Sequence, residues 1–177
     1  MSFSKETIEN YNNLLGAKTS TPGGGSALGI TLSLACSLVN MVINFTIEKK
    51  GYEHLKEKLV KYKEEIAIYL NKAYEYSDLD SSTFQALMNA FRSGDAKEIE
   101  RTSIDASMVP YNLYLLTERV QAIADDLFIC ANKNVVSDAK IASDLCYAIY
   151  PGCVLNVKAN IKNIHNEEVL NTLKTIL

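Results

Sequence analysis

The sequence predicts an all-α fold, an up-and-down helical bundle around a long buried central helix. Three observations carry that expectation. Only 3 Pro and 8 Gly occur in 177 residues, too few for the frequent turns of an all-β sandwich. No charged residue lies between Thr19 and Ile47, so one helix must be enclosed. Elsewhere apolar residues recur at alternating spacings of three and four, with Lys and Glu between them, the signature of amphipathic helices. With 47% hydrophobic and 22% charged residues, the chain reads as one globular domain over residues 1–177. A chain of this size buries roughly two thirds of its unfolded surface and needs neither metal nor disulfide to fold.

Residues 3–15 read as a short first helix. Thr21-Pro22-Gly23-Gly24-Gly25-Ser26 then opens the buried helix. Within it Ser26, Ser33, Ser37, Asn40 and Asn44 fall on one stripe, and Leu32, Leu34, Leu38, Val39, Met41, Val42 and Ile43 cover the rest. Leu28 to Ile47 is long enough to span a bilayer, and small-residue seams also join membrane helices. A single polar seam on an otherwise apolar helix fits the centre of a soluble bundle, so no membrane span is expected.

Leu55, Leu59, Tyr62, Ile66, Leu70 and Ala73 place a long amphipathic helix over 52–77. Phe84, Leu87, Met88 and Phe91 continue the period to Arg92, with Asp78 and Asp80 read as a capping pair before that segment. Ser93-Gly94-Asp95 is a turn with Asp95 as N-cap. Leu113, Leu116, Val120, Ile123, Leu127 and Ala131 mark the next helix. Pro110 is either its first-turn proline or a kink within a longer helix. Asn132-Lys133-Asn134 ends that run, and Ser137 reads as the next N-cap, with Asp138 at the positive helix start. Pro151-Gly152 interrupts, Cys153 to Ile164 resumes, and Asn166 caps a last short helix.

A net charge of −3 and a pI of about 5.5 give a poor footprint for a nucleic-acid partner. The cysteines at 36, 130, 146 and 153 form no Cys-x-x-Cys pair, and His54 and His165 share no ligand spacing with them. They read as reduced, mostly buried thiols. The N-terminus has no apolar signal core, so the expected location is cytoplasmic, with no metal site.

The glycine loop lets a ligand approach the main chain, and the free N–H groups of the following helix start form an anion site. It lacks the Gly-Lys-Ser/Thr of a P-loop. A flexible connection capped by Ser26 is the plainer alternative. Asn156, Asn160 and Asn163 form a second amide stripe on an apolar segment. Buried amides need partners, so they either pair with another helix or line a polar cavity shared with the first seam. Asp125 and Asp126 read as solvent-facing. With neither histidine placed as a base, acid–base work falls to a carboxylate or lysine.

The motifs together resemble the cyclodeaminase/cyclohydrolase family of tetrahydrofolate enzymes. The carrying residues are Thr21-Pro-Gly-Gly-Gly-Ser26, Met41-Val42, Asn44-Phe-Thr-Ile47, Lys49-Lys50, Tyr52, Phe84, Met88-Asn-Ala-Phe91, Val109-Pro110, Asn134, Ser137-Asp-Ala139 and Gly152 to Asn160. The resemblance implies an all-α, intertwined homodimer with a folate cleft around the glycine loop. Its implied activity is formiminotetrahydrofolate cyclodeaminase, releasing ammonia to form methenyltetrahydrofolate. The alternatives are methenyltetrahydrofolate cyclohydrolase or a folate-binding module without catalysis. A tetrahydrofolate derivative is then the substrate, and no metal is required. Gly23, Gly24, Gly25, Ser26, Asn44, Asn156 and Asn160 are implied cleft residues. Asp138 is the candidate catalytic carboxylate, as base or as holder of the pterin's amino-pyrimidine edge. Lys49 or Lys158 is the candidate receiver of the folate's glutamate tail.

Overall fold

The structure, a computed structural model, describes residues 2–177; the first residue of the expected domain lies outside them. Six α-helices follow one another: α1 (Ile8–Leu15), α2 (Gly24–Ile47), α3 (Lys56–Ser93), α4 (Ala96–Cys130), α5 (Val136–Asn160) and α6 (Glu167–Leu173). No strand occurs among the described residues. Helices α2 to α5 form the up-and-down bundle, with α2 against α3 and α5, and α4 against α3 and α5. The all-α expectation is borne out.

The core is one apolar cluster through all four long helices, including Leu32, Val39, Ile43, Leu59, Ile66, Leu113, Val120, Leu127 and Ile149. Helix α2 is the most apolar, with a mean hydropathy of 1.9 over an 18-residue stretch and half of that stretch buried. Its other side carries Leu34 at 54% and Phe45 at 59% exposure. Gly29 allows α2 and α3 to approach backbone to backbone. A Cβ there would lie 2.8 Å from the Ser77 backbone nitrogen and 2.9 Å from the Ala73 carbonyl oxygen, so a side chain would force α2 and α3 apart.

Several element boundaries differ from the sequence reading. The first helix is shorter, beginning after a 3-10 turn at Phe3–Lys5, with Thr7 as its N-cap. Helix α3 runs unbroken through residues 78–83, so Asp78 and Asp80 are helix-interior residues rather than caps. Ser77 and Ser81 occupy its core-facing turns. Small polar residues there look like a break in the apolar period but pack as a close contact. Pro110 lies well inside α4, resolving that alternative in favour of the longer helix. Ser137 is not a cap, because α5 already starts at Val136. Pro151 is on an exposed turn and does not end α5. Gly94, at φ +71°, and Asp95, which accepts from Lys97 N at 2.9 Å, make the α3–α4 turn as expected. Asn166 caps α6 through Val169 N at 3.1 Å.

The lengths matter for the site. At 1.5 Å per residue α3 and α4 are each over about 50 Å long, whereas α2 and α5 reach only about 36–38 Å. The α3–α4 hairpin therefore overhangs the ends of its neighbours. A second small cluster, Val157, Ile164 and Leu173 against Ile104, Met108 and Tyr111, fastens the C-terminal segment to the overhang. A step remains where α2 begins.

Candidate functional site

At that step lies a cavity of about 220 Å³ lined by Ser20, Thr21, Gly23, Gly24, Gly25, Asp80, Thr83, Phe84, Ala106, Asn156, Ala159 and Asn160. Gly23 precedes the first turn of α2 and offers no side-chain cap, leaving that turn's N–H groups for other acceptors. Asp80 takes one of them: its Oδ2 accepts from Ser26 N at 3.0 Å. The same carboxylate explains Gly25. A Cβ at Gly25 would sit 1.9 Å from Asp80 Oδ1, so any side chain would expel the carboxylate. Around Gly24 nothing lies within 4 Å of such a Cβ, because that side faces the hollow.

Asp80 is partly enclosed, and burial pushes its pKa above the ordinary carboxylate value, opposed by the hydrogen bond from Ser26 N–H. Behind it a buried hydroxyl chain fixes the local geometry. Tyr11 OH and Ser26 Oγ share a hydrogen bond at 3.2 Å, and Ser26 Oγ and Ser77 Oγ share another at 2.8 Å. Tyr11 is itself raised in pKa, first by burial.

The opposite wall is set by Pro110. A proline has no N–H to return to residue i−4, which leaves the Ala106 carbonyl without its helical partner. Asn160 Nδ2 donates to that carbonyl at 3.1 Å. The amide is thereby fixed at the cavity edge, while Asn156, one turn earlier on α5, lines the hollow.

The structure therefore brings together Gly23, Gly24, Gly25, Asn156 and Asn160, with Ser26 immediately behind. The remaining candidates lie elsewhere. Asp138 is eighteen residues before Asn156 on α5, about 27 Å along the helix axis, and lines none of this cavity. Asn44 is exposed at the far end of α2, where its Oδ1 accepts from Lys63 Nζ at 2.7 Å. Lys49 donates to Asn132 Oδ1 at 2.6 Å at that same end. Lys158 is exposed and absent from the lining. Asp80 was missed because residues 78–83 read as a helix boundary. The available signal was the apolar period, which carries through Ser77 and Ser81 to Phe84 without a change of phase.

Asp126 also departs from the solvent-facing reading. It accepts from Lys58 Nζ at 2.7 Å and Tyr62 OH at 3.1 Å, bridging α3 and α4. The cysteines are free, with Cys36, Cys146 and Cys153 buried. Burial pushes each of these three thiols up to about 12, so they stay protonated and inert. Among the described residues no group of three or more His, Cys, Asp or Glu is placed to hold a metal ion.

A sequence model described as formiminotransferase-cyclodeaminase matches residues 7–176. The chain belongs to the formiminotransferase-cyclodeaminase family. Within it, the chain is 30% identical to a methenyltetrahydrofolate cyclohydrolase of Methylorubrum extorquens, over 97% of this chain and 89% of that protein. It is 22% identical to the mouse formimidoyltransferase-cyclodeaminase over 91% of this chain, but spans only 31% of that longer protein. The fold matches the crystal structure of formiminotetrahydrofolate cyclodeaminase from Thermotoga maritima with a TM-score of 0.93. That match has 27% identity and covers 98% of this chain and 87% of the other. The family resemblance read from the motifs is borne out.

Proposed function

We propose that this protein is a formiminotetrahydrofolate cyclodeaminase whose working carboxylate is Asp80. The observation that carries this reading is the hollow beside Gly24, with Asp80 fastened to the α2 N-terminus at its wall. In the reaction the substrate's aniline nitrogen attacks the formimino carbon. A C–N bond forms, the aniline N–H proton leaves, and the carbon becomes tetrahedral. The former imino nitrogen then takes up protons and departs as ammonia, leaving the methenyl cation. One group must move protons, and the two nitrogens must be held in attack geometry. A carboxylate with a raised pKa suits the proton delivery. Once the cation forms, the ionised carboxylate stabilises it. Asn156 supplies an amide for the pterin edge, and Gly24 lets the flat ring lie against the main chain.

Cyclohydrolase activity is the second reading, favoured by the 30% identity to the Methylorubrum enzyme. There water attacks the same carbon of an already cationic substrate. The deciding experiment supplies formiminotetrahydrofolate and methenyltetrahydrofolate in turn, following methenyl absorbance and ammonia release in parallel. Ammonia released in step with rising absorbance is the expected result. Loss of methenyl absorbance without ammonia assigns the hydrolase. Binding without either change leaves only a folate-binding module.

We also propose that residues 1–177 act as a single domain, soluble in the cytoplasm, and that two copies pair through the exposed apolar side of α2. Leu34 and Phe45 there lie beside a helix with no charged residue, and a second copy would remove that surface from water. A two-fold axis across the middle of α2 would carry the Asn44 end of one copy toward the Gly24 end of the other. Light scattering should return twice the 19.6 kDa chain mass, and a monomer would sink the pairing.

A further inference from the structure

The cavity does not end at Phe84. Ser20 and Phe84 also line a neighbouring open groove of about 480 Å³, which continues past Gln85, Met88 and Asn89 to Arg92. All the residues from Asp80 to Arg92 belong to one unbroken run of α3. Twelve residues separate the two charged groups, about 18 Å of helix at 1.5 Å each.

We infer that Arg92 is the specificity-determining subsite for the glutamate end of the substrate, so that an extended pteroylglutamate lies along α3 from Asp80 past Phe84 to Arg92. The inference rests on the folate reading above and deepens it. The slot has the substrate's own polarity. A carboxylate, Asp80, stands where the ring system and its cationic carbon belong. An aromatic side chain, Phe84, stands one helical turn from Asp80, where the aminobenzoyl ring passes. A guanidinium stands at the far end, where the substrate carries carboxylates.

Arg92 is the sole cation among the described residues lining the cavity and the groove. Its Nη1 donates to the neutral Asn89 Oδ1 at 3.3 Å, and it takes part in none of the ion pairs among the described residues. Its charge is thus uncommitted and its planar fork is free for a carboxylate. Neither lysine suggested by the family resemblance competes for the role. Lys49 is engaged with Asn132 at the opposite end of α2, and Lys158 lines neither space.

The test compares wild type, Arg92→Gln and Arg92→Lys on two substrates, a formiminotetrahydrofolate carrying glutamate and the corresponding tetrahydropteroate without it. Arg92 is exposed, so both variants keep the fold, which circular dichroism checks. Arg92→Gln should raise KM for the glutamylated substrate about tenfold, the loss of one charge-assisted contact, with kcat unchanged. The KM for the pteroate should stay at the wild-type value. Arg92→Lys should fall between, since it keeps the charge and loses the fork. Equal KM changes on both substrates, or no change on either, overturn the subsite while leaving the folate reading intact. A wild-type protein that binds and turns over neither compound overturns the folate reading, and the subsite with it.

Discussion

The two ends of α2 invite comparison, because each sets amide side chains beside a turn. At the far end Asn132 is fully engaged. Its Oδ1 accepts from Lys49 Nζ at 2.6 Å and Asn134 N at 3.1 Å, its Nδ2 donates to the Phe45 carbonyl at 2.9 Å, and its own N–H donates to Thr46 Oγ1 at 3.2 Å. This buried knot ties the α4–α5 turn to the C-terminus of α2. At the near end Asp80 and Asn160 are each anchored by one contact, and Asn156 faces an open hollow. The difference lies in what remains unsatisfied. A saturated polar cluster holds helices together, whereas one with acceptors and donors left over can hold something else.

Three changes would break or sharpen that contrast. The largest effect is expected from Gly25→Ala, whose methyl must displace the Asp80 carboxylate. Turnover should fall to about a thousandth, combining lost proton transfer with lost alignment. Gly24→Ala one residue earlier is the control, since its methyl meets no atom of the protein and should leave the melting temperature unchanged. Undiminished turnover in Gly25→Ala would place the carboxylate outside the chemistry.

Asp80→Asn should lower kcat about a hundredfold without destabilising the fold, because Asn keeps an acceptor for Ser26 N–H. The pH dependence gives a separate check. Burial raises the folded-state pKa of Asp80, so the folded protein binds the proton more tightly than the unfolded chain. Its contribution to stability is present below the ordinary carboxylate pKa and is lost as pH rises through the folded value. Thermal melts should show the stability of wild type relative to Asp80→Asn declining from acid toward neutral pH. The opposite slope would mean that the carboxylate is held ionised.

The smallest effect on turnover, and a clear effect on stability, is expected from Asn132→Ala. It leaves the Phe45 carbonyl and the Lys49 ammonium without their partner and should cost about 1–3 kcal/mol in denaturant unfolding. Turnover per folded molecule should be unchanged. A loss of catalysis that exceeds the loss of folded protein would move this end into the active site.

Much of the fold was legible in the chain. The charge-free stretch to Ile47 could only be a helix with an enclosed side, and the turn at Gly94-Asp95 needed only a left-handed glycine and a capping carboxylate. The glycine loop, Asn156 and Asn160 were found as candidates because residues with no local role on apolar helices stand out. Asp138 was favoured over Asp80 because Ser137-Asp-Ala139 carries part of the family resemblance, whereas Asp80 read as one of a capping pair. A carboxylate inside a long helix is informative only when its neighbour across the bundle is known.

By itself the sequence determined which segments are helical, which helix is central, and the family, since periodicity, turn chemistry and motif order are properties of the chain alone. Only the tertiary structure decided which of the candidate residues lie together. The overhang of α3 and α4 depends on helix lengths set by packing through Ser77 and Ser81. The 54-residue contact between Ser26 and Asp80 depends on Gly25 and Gly29 letting two backbones meet. The carbonyl that anchors Asn160 is free because Pro110, 50 residues away from it in sequence, cannot donate a hydrogen bond. Such relations between distant residues arise from shape and hydrogen-bond supply, which become definite only when the helices are assembled.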